Sequence, residues 1–307
     1  MKDIIAKYGI LHSKRYSRNQ KSIFIHELIT DLKDSNQKIE IVKTKKQIQN
    51  SEHVMVNDPK NKSLVFVASY DTPSRAFLKS AYYPFNNDKN LRNEKKEYGI
   101  KISMVMICIL FCYILLHIML DSSGIMKIGM GMFILLNLIL MYFVIHGIGS
   151  KYNYNRNSVA VSLLIDLIVN KKQDDVGYVF LDNATDSYKG FTELEQYLGT
   201  KKEIFVFNAL ADGEILVKAS RNENEILSME VKKNIPDLYV KNYSGKQSDN
   251  KIFSVFENMT VFISGNKVNN DFAVLNQRTD RDFHVDFNRL KLLEQSIINY
   301  INANAKK

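Results

Sequence analysis

Two runs of sequence, ISMVMICILFCYILLHIML over Ile102–Leu120 and IGMGMFILLNLILMYFVIHGI over Ile128–Ile148, decide how the rest of the chain must be arranged. They hold 19 and 21 residues and contain no Asp, Glu, Lys or Arg. At the rise of an α-helix each run reaches roughly 30 Å, the thickness of bilayer hydrocarbon. Core helices of soluble proteins usually interrupt such runs with a polar face, and these two do not. Between them lies Asp121–Lys127, long enough only for a tight turn. The reading is a transmembrane hairpin over 101–149, with helices at about 102–120 and 128–148. It sits inside a polar chain, with about 100 residues before it and about 160 after it.

Lys89, Arg92, Lys95, Lys96 and Lys101 precede the first run, Lys151 and Arg156 follow the second, and the turn carries only Lys127. The positive-inside rule puts both flanks, and with them both termini, on the cytoplasmic side of the cell membrane. Lys95, Lys96 and Lys101 are the expected contacts with anionic lipid headgroups. That use accounts for much of the net charge of +9, so nucleic acid is not an expected partner. Met1–Gln20 has no apolar signal-peptide core. The only cysteines, Cys108 and Cys112, lie one turn apart in the first run, which excludes a disulfide framework or cysteine zinc site in the soluble part. Within the runs, His117, Asn137 and His146 are expected to face another helix. The bilayer is one partner, and assembly through the hairpin is a further expectation.

Outside the hairpin the patterns alternate. Ser17–Leu32 has the 3.6-residue recurrence of an amphipathic helix. Lys38–Lys43 and His53–Val56 have strand character. Ser63–Ser69 (Ser-Leu-Val-Phe-Val-Ala-Ser) is a continuous apolar run of strand length, as in a buried parallel strand. Arg75–Glu97 is a polar connector. Asn157–Asn170 reads as a helix capped by Asn157 or Ser158. Val176–Leu181 is strand, Phe191–Leu198 a helix closed by Gly199, and Glu203–Phe207 and Glu214–Ala219 are strands. Phe253–Ile263 joins a helix end to strand Val261–Ile263, and Phe287–Asn302 is a closing amphipathic helix. The fold class is α/β: a mostly parallel sheet with helices on both faces, interrupted by the hairpin. Residues 1–100 and 150–307 form one domain. Any site should lie beyond the carboxyl ends of the strands.

Those strand ends resemble the M28-type zinc aminopeptidases. Leu64–Thr72 is similar to a strand ending in His-x-Asp, and Asn155–Leu164 to the turn Asp-Asn-x-Ser-Gly before a helix. Tyr178–Gly190 resembles the strand ending in Glu-Glu, and Ile204–Asn208 the strand ending in an Asp ligand. Ser248-Asp-Asn250 resembles Ser-Asp-His, and Asn276–Leu290 the closing His-x-x-x-Asp segment. The resemblance implies a zinc-aminopeptidase-like fold and a site at Ser69, Asp71, Tyr154, Ala184, Thr185, Asn208 and Asn276. Ser69 stands for a His and Tyr154 for the bridging Asp. Ala184-Thr185 replace the Glu-Glu pair, and Asn208 and Asn276 replace an Asp and a His. Asp71 alone keeps a ligand-type side chain. Hydroxyls and amides are weak zinc ligands, and no carboxylate is left to activate water. The expectation is no cofactor, with zinc the alternative. The implied function is a membrane-anchored pseudo-peptidase that binds a peptide or membrane-protein partner without hydrolysis. An active membrane-bound metallo-aminopeptidase with an atypical metal site, and a structural subunit of a membrane export or immunity complex, are the competing readings.

Overall fold

In the computed structural model, residues 1–46, 49–185, 188–222, 224–242 and 255–304 are described. The chain opens with α1 (Lys2–Ala6), which runs on as a wider π-turn over Lys7–Leu11. Helix α2 (Arg18–Leu32) starts at a capping box, in which the Ser17 hydroxyl accepts from the Gln20 amide and the Gln20 side chain reaches back. Strands β1 (Ile39–Lys46), β2 (Gln49–Val56) and β3 (Leu64–Ser69) follow. After β3 come two long helices, α3 (Asn87–Asp121) and α4 (Ile125–His146). A π-turn at Tyr154–Ser158 leads into α5 (Val159–Val169). Then come β4 (Val176–Leu181), α6 (Lys189–Leu198), β5 (Glu203–Asn208), β6 (Ile215–Ser220) and α7 (Glu225–Asn234). Strands β7 (Tyr239–Asn242), β8 (Asn258–Val268) and β9 (Asp271–Ala273) precede the last helix, α8 (Phe287–Asn304).

The strands form one mixed sheet in the order β1-β2-β4-β3-β5-β8-β6-β7, with β9 paired to β8. Its centre, β4-β3-β5-β8, is parallel, and its flanks are antiparallel apart from the β6–β7 pair. Alternate side chains therefore enter two cores. Phe66, Tyr178, Phe205 and Phe207 pack with α1, α2, α5, α7 and α8 on one face. Val65, Val67, Ile204 and Val206 pack with α6 on the other. The parallel register brings the ends of β3 and β5, Ser69 and Asn208, to the same edge.

Helices α3 and α4 are each long and apolar enough to cross a membrane, and only 6% and 11% of their apolar windows are buried. They pack on each other as a hairpin. Asn137 of α4 donates to the Cys108 carbonyl (2.7 Å) and to Cys112 Sγ (3.0 Å).

The connector expected over Arg75–Glu97 differs from that reading. Its second half is helix: the Asn86 side chain accepts from the Lys89 amide, Asp88 occupies the first turn, and α3 runs unbroken from Asn87. Neither Asn157 nor Ser158 caps α5 with its side chain, because both side chains are engaged elsewhere. The β8 strand is longer than Val261–Ile263, since its end pairs with β9; Phe253 lies outside the described residues.

Candidate functional site

Three segments meet at the carboxyl edge of the central strands: the residues after β3, the turn before α5, and the loop after β4. Arg15, fully buried, ties the first two together. Its Nε donates to the Tyr70 carbonyl (2.6 Å), and Nη1 to the carbonyls of Tyr8 (3.0 Å) and His12 (2.8 Å). Nη2 donates to Asn157 Oδ1 (2.6 Å) and Ser158 Oγ (2.8 Å). Burial pulls the guanidinium down to about 9, against the opposing field of Asp71. Asn157 passes the link on by donating to the Asp71 carbonyl.

The Asp71 carboxylate is turned to the β4 loop. Oδ1 accepts the Ala184 amide (3.1 Å) and Oδ2 the Thr185 amide (3.2 Å). The Thr185 hydroxyl lies 2.7 Å from the Asp71 carbonyl and 3.1 Å from Oδ1. The loop is shaped by Gly190, where a Cβ would stand 2.1 Å from the Asp182 carbonyl oxygen. Its other end is fixed by Asp182, which pairs with Lys21 (2.5 Å) and accepts the Glu52 amide (3.2 Å).

The turn before α5 is equally committed. Buried Asp282 accepts the amides of Asn155 (2.6 Å) and Arg156 (3.2 Å), and burial raises its carboxyl to about 7. Asn155 Oδ1 accepts the amides of Ala211 (3.0 Å) and Asp212 (3.3 Å) beyond β5. Arg156 turns inward. Its Nη1 donates to Gln277 Oε1 (2.8 Å), its Nη2 to the Thr185 carbonyl, and its guanidinium lies 5.3 Å from the Tyr82 ring centre.

Between these walls is a cavity of about 320 Å³. Ser69, Ala184, Thr185 and Asn208 line its floor, Arg156 and Gln277 one side, Tyr82 and Tyr188 another. Its roof is the first turns of α3, where Asn87, Asn90, Glu94 and Glu97 recur at three and four residues and so share one face. Arg278 latches that roof: Nη2 pairs with Glu97 Oε1 (2.8 Å) and Nε donates to the Ser74 carbonyl (2.8 Å). The helix that closes the cavity is the one that continues into the apolar hairpin.

Four of the residues singled out from sequence, Ser69, Ala184, Thr185 and Asn208, thus line one cavity, and Asp71 lies behind it, bonded to the amides of Ala184 and Thr185. Tyr154 is elsewhere: its ring packs on Gly9 and joins the core beside α1. Asn276 occupies a left-handed turn (φ 61°), and its neighbours Gln277 and Arg278 reach the cavity instead. Ser248–Asn250 lie outside the described residues. Of the hairpin's polar residues, Asn137 faces the neighbouring helix, while His117 is exposed on α3 and His146 stacks on Tyr142 within α4. Lys95 and Lys96 are exposed; Lys101 pairs with Glu97 (3.5 Å). The π-turn places Arg156 in the cavity wall, so it is not a flanking membrane charge.

Sequence reasoning missed Arg15, Arg156 and Asp282, which hold the site by long-range bonds, and the buried pair His53–Glu193 (3.0 Å). His53 Nδ1 accepts the Asp182 amide (3.1 Å), so Nε2 carries the proton that Glu193 accepts. Among the described residues no group of three or more His, Cys, Asp or Glu could hold a metal ion.

No family model matches the chain, and no curated protein does. Solved structures do. A glutaminyl cyclase from Porphyromonas gingivalis superposes with a TM-score of 0.60 at 9% identity, over 98% of this chain and 96% of that one. A glutaminyl cyclase from Bacteroides thetaiotaomicron, bound to N-acetylhistamine, gives 0.58 at 10% identity, over 98% and 94%. A leucine aminopeptidase precursor from the same organism gives 0.54 at 10%, over 98% and 93%. At these identities the likeness establishes the fold, that of the glutaminyl cyclases and aminopeptidases.

Proposed function

We propose that this chain is a membrane-anchored pseudo-peptidase. Its hairpin crosses the bilayer, its α/β domain lies on the cytoplasmic side, and its carboxyl-edge cavity binds a peptide or membrane-protein partner without cleaving it. The observation that carries this reading is the donor set around the cavity. A zinc centre of the aminopeptidase kind needs about three His or carboxylate ligands and an open position for water. The described floor offers a hydroxyl, a methyl, a second hydroxyl and an amide, from Ser69, Ala184, Thr185 and Asn208. Asp71 is held by the amides of Ala184 and Thr185, and the guanidinium of Arg156 brings a cation into the wall. These residues do not fit zinc.

What they suit is hydrogen bonding. A cavity of about 320 Å³ is within the range of small-ligand sites. The Ser69 hydroxyl and the Asn87 and Asn208 amides line it with groups that can bond a peptide backbone, and Glu94 and Arg156 bring charges of both signs. Membrane crossing is supported by the exposure of two apolar helices. In water they would form an apolar surface far larger than soluble monomers carry.

The test incubates the full chain, purified in detergent, with a mixed peptide library and reads both phases by mass spectrometry. The reading predicts retained, intact peptides, with retention lowered by Asn208→Leu. Shortened peptides, or amino-terminally cyclised ones, would defeat it.

A further inference from the structure

We propose that the turn Ile10–Leu11 is a second membrane contact, seated shallowly in the headgroup boundary of an anionic leaflet beside the base of the hairpin. The proposal rests on the hairpin crossing the bilayer, and adds to it a fixed attitude of the soluble domain on the surface.

Ile10 and Leu11 end the π-turn after α1, yet they are 57% and 76% exposed. The same turn buries Tyr8 and Gly9 in the core, so its two sides are sharply divided. Its outer side is fixed to the end of α4. The Ser13 hydroxyl lies 3.1 Å from the Ile10 carbonyl and 2.8 Å from the Lys151 carbonyl. The Asn153 side chain donates to the Ser13 carbonyl (3.0 Å). The Tyr16 hydroxyl donates to the carbonyl of His146, the last residue of α4. Gly149 permits this approach, since a Cβ there would stand 3.1 Å from that of Tyr16. Ile10 and Leu11 therefore lie next to the level at which α4 ends.

Exposed apolar residues carry on past the end of α4. Ile148, just past α4, is 60% exposed. The partly exposed rings of Tyr152 and Phe283 meet edge to face at 5.8 Å close by. Lys14 and Lys151 lie beside these residues, are exposed, and form no ion pair among the described residues, the Lys151 ammonium standing 5.0 Å from the Tyr152 ring centre. Aliphatic tips, aromatic rings and exposed lysines in one band are the chemistry of the headgroup boundary: the apolar groups enter, and the cations meet lipid phosphates. An aqueous surface gives no such return for exposing Leu11. Continuity with the spanning helices makes lipid, rather than a second protein, the occupant.

The test reconstitutes the full chain, with Cys108→Ser and Cys112→Ser, into nanodiscs of phosphatidylcholine and phosphatidylglycerol. An environment-sensitive fluorophore is attached to a single cysteine in Leu11→Cys, in Leu135→Cys within α4, or in Thr200→Cys before β5 at the opposite edge of the sheet. The expected result for the Leu11 site is blue-shifted emission, quenching by shallow spin-labelled lipid, weak quenching by aqueous iodide, and a smaller effect when phosphatidylglycerol is omitted. Leu135 should be quenched by deeply labelled lipid, and Thr200 by iodide alone. If Leu135 behaves so while Leu11 is quenched by iodide like Thr200, the proposal is overturned and the spanning hairpin stands. Shielding of Leu11 from both quenchers overturns it in favour of a protein cover. Failure of lipid to quench Leu135 removes the spanning hairpin and the proposal together.

Discussion

Arg15 is a single charged side chain holding a strand end, a helix start and an amino-terminal turn at once. Removing it leaves buried carbonyls and two side chains without their donor. Arg15→Met should lower stability by about 3–5 kcal/mol. Arg15→Lys should recover only part of this, because an ammonium cannot present a planar fork. Thermal melting of the detergent-purified chain reads both. Asp282 gives a pH signature. Its carboxyl rises from an ordinary 3.8 to about 7 on folding, so the folded chain holds a proton there that the unfolded chain releases. That contribution is fully present below the unfolded value and is lost as pH rises through about 7. Three units correspond to about 4 kcal/mol at most. Asp282→Asn should therefore flatten the fall in melting temperature between acid and mildly alkaline buffer; an unchanged slope would contradict the assignment. Neither residue stood out in the sequence. Arg15 lies in a stretch with no periodicity, and its partners are as far as 143 positions away.

At the scale of elements, α3 has two roles along one axis. Its polar turns roof the cavity and its apolar turns belong to the hairpin, so the Glu97–Arg278 latch joins site and hairpin. The pair is largely buried on the Glu97 side, and Glu97→Gln should weaken the closed roof by about 1 kcal/mol. Amides of Asn87–Tyr98 should then exchange about fivefold faster in hydrogen–deuterium exchange, with β3 and β5 unchanged. In the hairpin, Asn137→Leu removes a bond across the two helices and should cost about 1 kcal/mol in detergent-titrated unfolding without preventing insertion. The long apolar helices and the strand Ser63–Ser69 were legible because each is a dense local pattern. The helical start at Asn87 was not: its polar residues resemble a connector, and their common face matters only once a cavity lies beneath them.

The whole molecule is an α/β domain opened at the carboxyl edge of its sheet to admit a membrane-length hairpin. The architecture was readable from the alternation of strand and helix patterns, although the antiparallel flanks and β9 were not. Such pairings depend on which neighbour a strand meets rather than on its own residues. The site was half readable. The strand ends named their own residues, whereas the side chains that close the cavity, Arg156, Gln277 and Glu97, come from segments whose meeting no local spacing announces. The fold is that of glutaminyl cyclases and aminopeptidases, and the proposal is that its cavity holds no metal centre. Metal content of the purified full chain after zinc exposure, by inductively coupled plasma mass spectrometry, tests it most directly. Substoichiometric zinc, unaltered by Asp71→Asn, is the result predicted. About two zinc ions per chain, released by Asp71→Asn in a protein that still melts cooperatively, would contradict it.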